Sequence, residues 1–134
     1  MPTMNDHIET MLAAKTFAVV GASTNPEKYG SIAYRMLKES GKTAYPVNPT
    51  TTEIGGDTCY PTVAALPETP DVVVAVIPPP RTEKLIPQLV ARGIKNVWIQ
   101  PGAESEAAIA AAEAAGIAVV HSGPCIMVGL RTHG

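Results

Sequence analysis

The sequence predicts an α/β domain in which a five-stranded parallel sheet lies between two layers of helices. Three observations carry this. Apolar runs of strand length alternate five times with stretches whose apolar residues recur at helical spacing. Residues 72–77 are six consecutive apolar residues between Asp71 and Pro78-Pro79-Pro80, a run that fits a parallel strand covered on both faces. The first strand, Phe17-Ala18-Val19-Val20, passes directly into a small-residue turn, Gly21-Ala22-Ser23, and a helix-like stretch follows.

The elements follow in order. Asn5 is placed to cap a short leading helix within residues 1–15, with Ile8, Met11 and Leu12 inward. Residues 16–21 read as a buried strand. About 29–40 read as a helix burying Ile32, Ala33, Met36 and Leu37. Thr43–Val47 is the second strand, stopped by Asn48-Pro49. The connection 48–70 is long and holds Gly55-Gly56 and Pro61, which predicts a small hairpin or flap. After the third strand, a helix carries Leu85, Ile86, Leu89 and Val90, with Pro87 expected to kink it or mark a late start. Residues 95–99 form the fourth strand, 105–115 an alanine-rich helix ended by Gly116, and 117–121 the fifth strand. The tail 122–134 contains an apolar stretch, 126–130, suited to covering its own sheet or a neighbour's. Together these give a Rossmann-like, doubly wound, three-layer α/β/α domain over 1–134. Its expected strand order is 3-2-1-4-5, with the reversal between the first and fourth strands.

Composition bounds the function. The chain has 134 residues, enough for one domain with its own core. It is 46% hydrophobic and 16% charged, hence globular, and with only 4% aromatic residues the core falls to Val, Ile, Leu and Ala. A net charge of −2 argues against a general nucleic-acid or anionic-membrane surface, so an anionic ligand must be met by a few local charges. No apolar run approaches the roughly 20 residues of a membrane span, and the polar N-terminus is unlike a signal peptide. Cys59 and Cys125 have neither metal-ligand spacing nor a disulfide pattern. A cytoplasmic protein without a metal is the expectation.

In doubly wound sheets, ligands bind beyond the carboxyl ends of the strands. Here those ends carry Gly21-Ala22-Ser23, Asn48-Pro49, Pro78-Pro79-Pro80, Gln100-Pro101-Gly102-Ala103 and Ser122-Gly123-Pro124-Cys125. A strand, a tight turn and a helix N-terminus suit a phosphate-bearing ligand. The turn departs from the dinucleotide fingerprint Gly-x-Gly-x-x-Gly, because Ser23 and Pro26 stand at the second and third glycine positions. The second strand ends without the acid that would hold an NAD ribose, since Glu53 lies beyond a proline turn. Both departures weigh against NAD. Asn48 and Gln100 are uncharged amides suited to a ligand's base, ribose or amide groups, and Lys28 and Arg81 lie near the rim as candidate phosphate contacts.

In their order and spacing, Gly21-Ala22-Ser23, Val47-Asn48-Pro49, Ile77-Pro78-Pro79, Trp98-Ile99-Gln100-Pro101-Gly102 and Cys125-Ile126-Met127-Val128 resemble the small stand-alone CoA-binding proteins. The similarity runs from about Thr16 to Val128. More distantly, it extends to the CoA-binding N-terminal domain of the succinyl-CoA synthetase α subunit and of ADP-forming acyl-CoA synthetases. The resemblance implies that Gly21, Ala22 and Ser23 approach the CoA phosphates and that Asn48 and Pro49 lie along the adenosine. It implies that Ile77, Pro78 and Pro79 line the cleft beside nucleotide and pantetheine, and that Gln100, Gly102 and Ala103 come near the pantetheine end. The synthetase domain carries a lysine shortly after its second strand. The matching residue here is Thr51, which leaves Lys28 or Lys42 to supply that charge, or the 3′-phosphate weakly held.

No catalytic residue is assigned. His121 ends the fifth strand beside Ser122, but no triad is derivable and a structural role is favoured; the synthetases' phosphohistidine belongs to a later domain outside this sequence. Cys125 is a candidate redox thiol toward CoA, weighed against a small, buried, structural cysteine. The resulting expectation is non-catalytic binding of coenzyme A or an acyl-CoA. Alternatives are an NAD(P)-dependent oxidoreductase or acyl-CoA-using transferase subunit, and a regulatory acyl-CoA or thiol-redox sensor acting through a partner; the partner expectation is a homo-oligomer or another protein.

Overall fold

The computed structural model describes residues 2–133, with side chains through residue 131; positions 1 and 134 of the expected domain lie outside the described residues. The elements are α1 (Met4–Ala13), β1 (Thr16–Val20), α2 (Tyr29–Glu39), β2 (Thr43–Val47), β3 (Glu53–Ile54), β4 (Asp57–Thr58), a 3₁₀ turn (Val63–Ala65), β5 (Val72–Ala75), α3 (Pro79–Arg92), β6 (Asn96–Ile99), α4 (Glu106–Ala114), β7 (Ala118–Val120) and α5 (Ile126–His133).

Five parallel strands form the central sheet in the order β2-β1-β5-β6-β7. Counted over these five, the order is 2-1-3-4-5, which corrects the expected 3-2-1-4-5. The reason is legible in two strands. Pro46 cannot donate to a ladder, so β2 belongs at an edge. Val72–Ala75 is buried at every position, so β5 belongs in the middle, paired with both β1 and β6. The long connection therefore carries the chain back past β1, and the direction reverses between β1 and β5.

Alternation along the strands divides the core in two. Phe17, Val19, Val72, Val74, Trp98 and Val120 pack under α1, α2 and α5. Ala18, Val73, Ala75, Val97, Ile99 and Val119 pack under α3, α4 and the 3₁₀ turn. The apolar tail forms α5 and covers its own sheet: Ile126 is fully buried and Leu130 nearly so.

Local chemistry fixes the remaining pieces. Thr3, rather than Asn5, caps α1, in a reciprocal capping box with Asp6. Gly55 and Gly56 both have positive φ, as a two-residue hairpin turn between β3 and β4 requires. That hairpin is tied to α2 by Asp57, which accepts from Tyr34 Oη and pairs with Lys38. Helix α3 does not start late. Pro79 and Pro80 occupy its first positions, where no N–H donor is needed, and the helix continues through Pro87.

Candidate functional site

The carboxyl ends of β1 and β5 open a cleft with two lobes. The wide lobe, about 770 Å³, is lined by Gly21, Ser23, Lys28, Tyr29, Gly30, Asn48, Val76, Ile77, Pro78, Pro79, Arg81, Pro101, Gly102 and Ala103. The narrow lobe, about 250 Å³, runs between the long connection and α3, past Val20, Val47, Pro49, Pro61, Thr62, Val63, Lys84, Leu85 and Gln88. Gly21, Asn48, Ile77 and Arg81 line both. The cleft thus lies at the strand-order reversal, where the loops after β1 and β5 diverge to opposite faces of the sheet.

Two glycines make this geometry. Gly21 has φ +102°, and a Cβ there would stand 2.1 Å from the carbonyl oxygen of Val76. Gly30, in the first turn of α2, packs so closely that its Cβ would stand 2.0 Å from the carbonyl oxygen of Gly21. Close helix–strand packing is the role of the third glycine in the dinucleotide fingerprint. Gly30 performs it here, four residues beyond Pro26, so the turn is a longer version of the same device. Sequence reasoning missed Gly30 because it compared residues at fixed spacing.

The loop between them is held internally. Ser23 Oγ accepts from the Asn25 N–H at 3.0 Å, Asn25 Oδ1 accepts from the Glu27 N–H at 3.0 Å, and the Lys28 N–H donates to Asn25 O at 3.1 Å. Lys28 then stands at the N-cap of α2 and makes no side-chain cap bond. The first N–H groups of a helix have no intrahelical partner, so the wide lobe meets a helix N-terminus with donors to offer. The start of α3, on the opposite wall, differs. Pro79 and Pro80 have no N–H, and the Arg81 and Thr82 N–H groups both donate to Pro78 O. That wall is apolar and donor-poor, and its positive charge comes from side chains.

Asn48 is a brace more than a free amide. Its Nδ2 donates to Ala22 O at 2.8 Å, and its Oδ1 accepts from the Thr50 N–H and Oγ1 at 2.8 and 2.7 Å. It therefore joins the loops after β1 and β2 while lining both lobes. Pro49 lines the narrow lobe beside it. Gly102 and Ala103 reach the wide lobe, but the Gly102 N–H is taken by the Glu104 carboxylate at 3.1 Å, and Ala103 O accepts from Thr82 Oγ1 at 2.8 Å.

Other expected site residues are not brought to the cleft lining. Ala22 is fully buried beneath the loop. Gln100 is 3% exposed, and its amide holds the start of α5: Oε1 accepts from the Ile126 N–H at 2.8 Å, and Nε2 donates to Cys125 Sγ at 3.6 Å. Cys125 is half-buried at that junction, with its carbonyl accepting from the Gly129 N–H. Lys42 lies at the opposite end of the sheet, donating to Leu12 O and Ala14 O, which removes it as a substitute for the charge missing at Thr51. His121 Nδ1 lies 2.5 Å from Ser122 Oγ, along a separate depression shared with His7 and Glu113. Burial pushes the Cys59 thiol up, despite its bond to Asn48 O.

The charges around the cleft are one-sided. Lys28, Arg81 and Lys84 line it, and among the described residues no carboxylate does. None of the three side chains makes a hydrogen bond or ion pair with the described residues, whereas those of Arg35, Lys38, Lys42 and Arg92 are all engaged. Lys84 and Tyr29 escaped the sequence reading. Lys84 had a signal, since it stands three residues after Arg81 and so shares its helix face.

Residues 15–131 match the CoA binding domain family. The chain belongs to that family. It is 37% identical over 91 residues to an ADP-forming acetate–CoA ligase of Archaeoglobus fulgidus, covering 67% of this chain and 13% of the ligase. The chain thus spans about an eighth of that relative's length. Smaller solved proteins match over most of both chains. A conserved hypothetical protein of Pyrococcus furiosus superposes with TM-score 0.81 at 44% identity, covering 85% of this chain and 97% of that one. A hypothetical protein of Pyrococcus horikoshii gives TM-score 0.90 at 34% identity, covering 97% and 91%. The dinucleotide-forming acetyl-coenzyme A synthetase 1 of Ca. Korarchaeum cryptofilum, solved with phosphate and ADP, matches over 85% of this chain and 27% of its own, with TM-score 0.75 and 31% identity. Among the described residues, no helix is long and apolar enough to cross a membrane, and no group of three His, Cys, Asp or Glu could hold a metal ion.

Proposed function

We propose that this domain binds coenzyme A or an acyl-CoA in the two-lobed cleft, as a non-catalytic cytoplasmic module. The observation that carries the reading is the pairing of an apolar, donor-poor wall with a helix N-terminus across one cleft. The diphosphate lies against Gly21, Ser23 and the start of α2, near Lys28. The adenine enters the narrow lobe between Val47, Pro49 and Leu85. The pantetheine arm runs outward past Pro78, Pro79, Gly102 and Ala103, where rigid apolar surface suits a flexible, largely apolar chain. NAD fits less well, because no acid stands where its ribose hydroxyls need one. Membership of the CoA binding domain family supports the same ligand. The relatives in which this domain is a small part of a ligase support a further role, delivering or sensing the bound thioester through a protein partner.

Thermal unfolding with a panel of ligands tests the reading. At 100 times its Kd, a ligand that binds only the native state adds about 2.7 kcal/mol. In a domain of this size that raises Tm on the order of 10 °C. CoA and acetyl-CoA are expected to stabilise, and NAD, NADP and ATP to have less effect at equal concentration. Stabilisation by NAD and none by CoA overturns the assignment.

A further inference from the structure

We infer that Arg81 and Lys84 form a subsite for a phosphate on the ribose of the bound nucleotide, so that the cleft selects ligands built on 3′-phosphorylated ADP over those built on ADP alone. The inference rests on the coenzyme A reading above and deepens it.

The narrow lobe is walled by Val20, Val47, Pro49, Val63 and Leu85 and takes a flat apolar base; the α2 N-terminus takes a diphosphate in the wide lobe. A nucleotide spanning the two places its ribose at their junction, which Gly21, Asn48, Ile77 and Arg81 line. Among the described residues, Arg81 is the cation that faces both lobes. Lys84, one turn further along the same face of α3, lines the narrow lobe alone. The pair therefore brackets the ribose on the side away from α2, while Lys28 stands at the α2 N-cap with the diphosphate.

Charge points the same way. Among the described residues the cleft carries three cations and no lining carboxylate, in a chain whose net charge is −2. Neither the Arg81 nor the Lys84 side chain makes a hydrogen bond or ion pair with the described residues. The α3 wall has no N–H groups to offer an anion, because its first two residues are prolines and the next two N–H groups are bonded to Pro78 O. Two unpaired side-chain cations on a donor-poor wall exceed what the diphosphate needs. They suit one further dianion, which an arginine fork can grip through two oxygens.

Calorimetric titration with CoA and 3′-dephospho-CoA separates the possibilities. The unaltered protein is expected to bind CoA roughly 10- to 100-fold more tightly, the worth of one or two charge-assisted hydrogen bonds. The double substitution Arg81→Gln/Lys84→Gln should remove most of that difference and change dephospho-CoA binding by less than about threefold. Lys28→Gln should weaken both ligands alike and keep the difference. Equal binding of the two ligands by the unaltered protein overturns the inference without any variant, and leaves the coenzyme A reading standing. So does a double variant that keeps the preference or loses both ligands equally. If the unaltered protein binds neither ligand, the coenzyme A reading falls, and the subsite with it.

Discussion

Gly30 lies against Gly21 so closely that a side-chain carbon on Gly30 would stand 2.0 Å from the carbonyl oxygen of Gly21. That contact sets the distance between the start of α2 and the turn after β1, and so the position of the helix N-terminus in the cleft. Gly30→Ala must push backbone away from backbone, which no rotamer change relieves. The expected cost is about 3 kcal/mol, a fall in Tm of roughly 10 °C. CoA affinity should fall at least tenfold, measured on protein still folded at low temperature. An unchanged Tm would show that α2 can shift freely, and that the close approach does not position the site.

Asn48 joins the loops after β1 and β2 and faces both lobes, so its two roles can be separated by charge. Asn48→Ala strands the Ala22 carbonyl and should cost about 1–2 kcal/mol of stability. Asn48→Asp keeps the bonds to Thr50 but places a carboxylate beside the ligand's phosphates. It should bind CoA more weakly than Asn48→Ala, and the gap should narrow as salt rises. Equal affinities for the two variants at every salt concentration would place the phosphates away from Asn48.

Much of this was legible from residues, and the failures have physical causes. The two-glycine turn and the apolar tail became what their patterns implied, because each is governed by local geometry or by one contiguous face. Of the apolar run at 72–77, only Val72–Ala75 is strand, and Val76 and Ile77 leave the sheet to line the cleft. The strand order differs from 3-2-1-4-5 for a reason that Pro46 and the all-apolar β5 already contain: the strand that lacks a donor lies at the edge and the fully apolar one in the middle. The partners of the Gln100 amide are invisible in sequence, where an amide just beyond a buried strand suits a ligand contact. Its partners, the Ile126 N–H and Cys125, lie about 25 residues away.

Asp71 fastens the entry of β5 to that of β1. Its carboxylate accepts from the Lys15 and Thr16 N–H groups at 3.3 Å each, and its own N–H donates to Thr16 Oγ1 at 2.9 Å. Burial pushes its pKa up, but the hydrogen bonds with Thr16 and Lys15 outweigh that and hold it below the ordinary 3.8. A lowered folded-state pKa adds stability that is present above the unfolded value and lost as pH falls through the folded one. Asp71→Asn should therefore be less stable than the unaltered protein at pH 7, by under about 1 kcal/mol because the group is solvent-exposed. The difference should vanish as the pH is taken well below 3.8. Denaturant titrations at pH 7 and pH 3 check this, and a difference that grows on acidification would refute it.

The Gln100 amide holds the first turn of α5, and a structural role and a ligand-binding role predict opposite outcomes for Gln100→Leu. Losing Oε1 leaves the buried Ile126 N–H without its acceptor, which costs about 1–3 kcal/mol and falls on the first turn of α5. Amide exchange should speed up at Gly129 and Leu130, while CoA affinity changes by less than about threefold, since Gln100 does not line the cleft. Cys125→Ser, which keeps an acceptor for Gln100 Nε2, should leave both exchange and affinity nearly unchanged. A large loss of CoA affinity in Gln100→Leu with α5 exchange unaltered would place the Gln100 amide against the ligand.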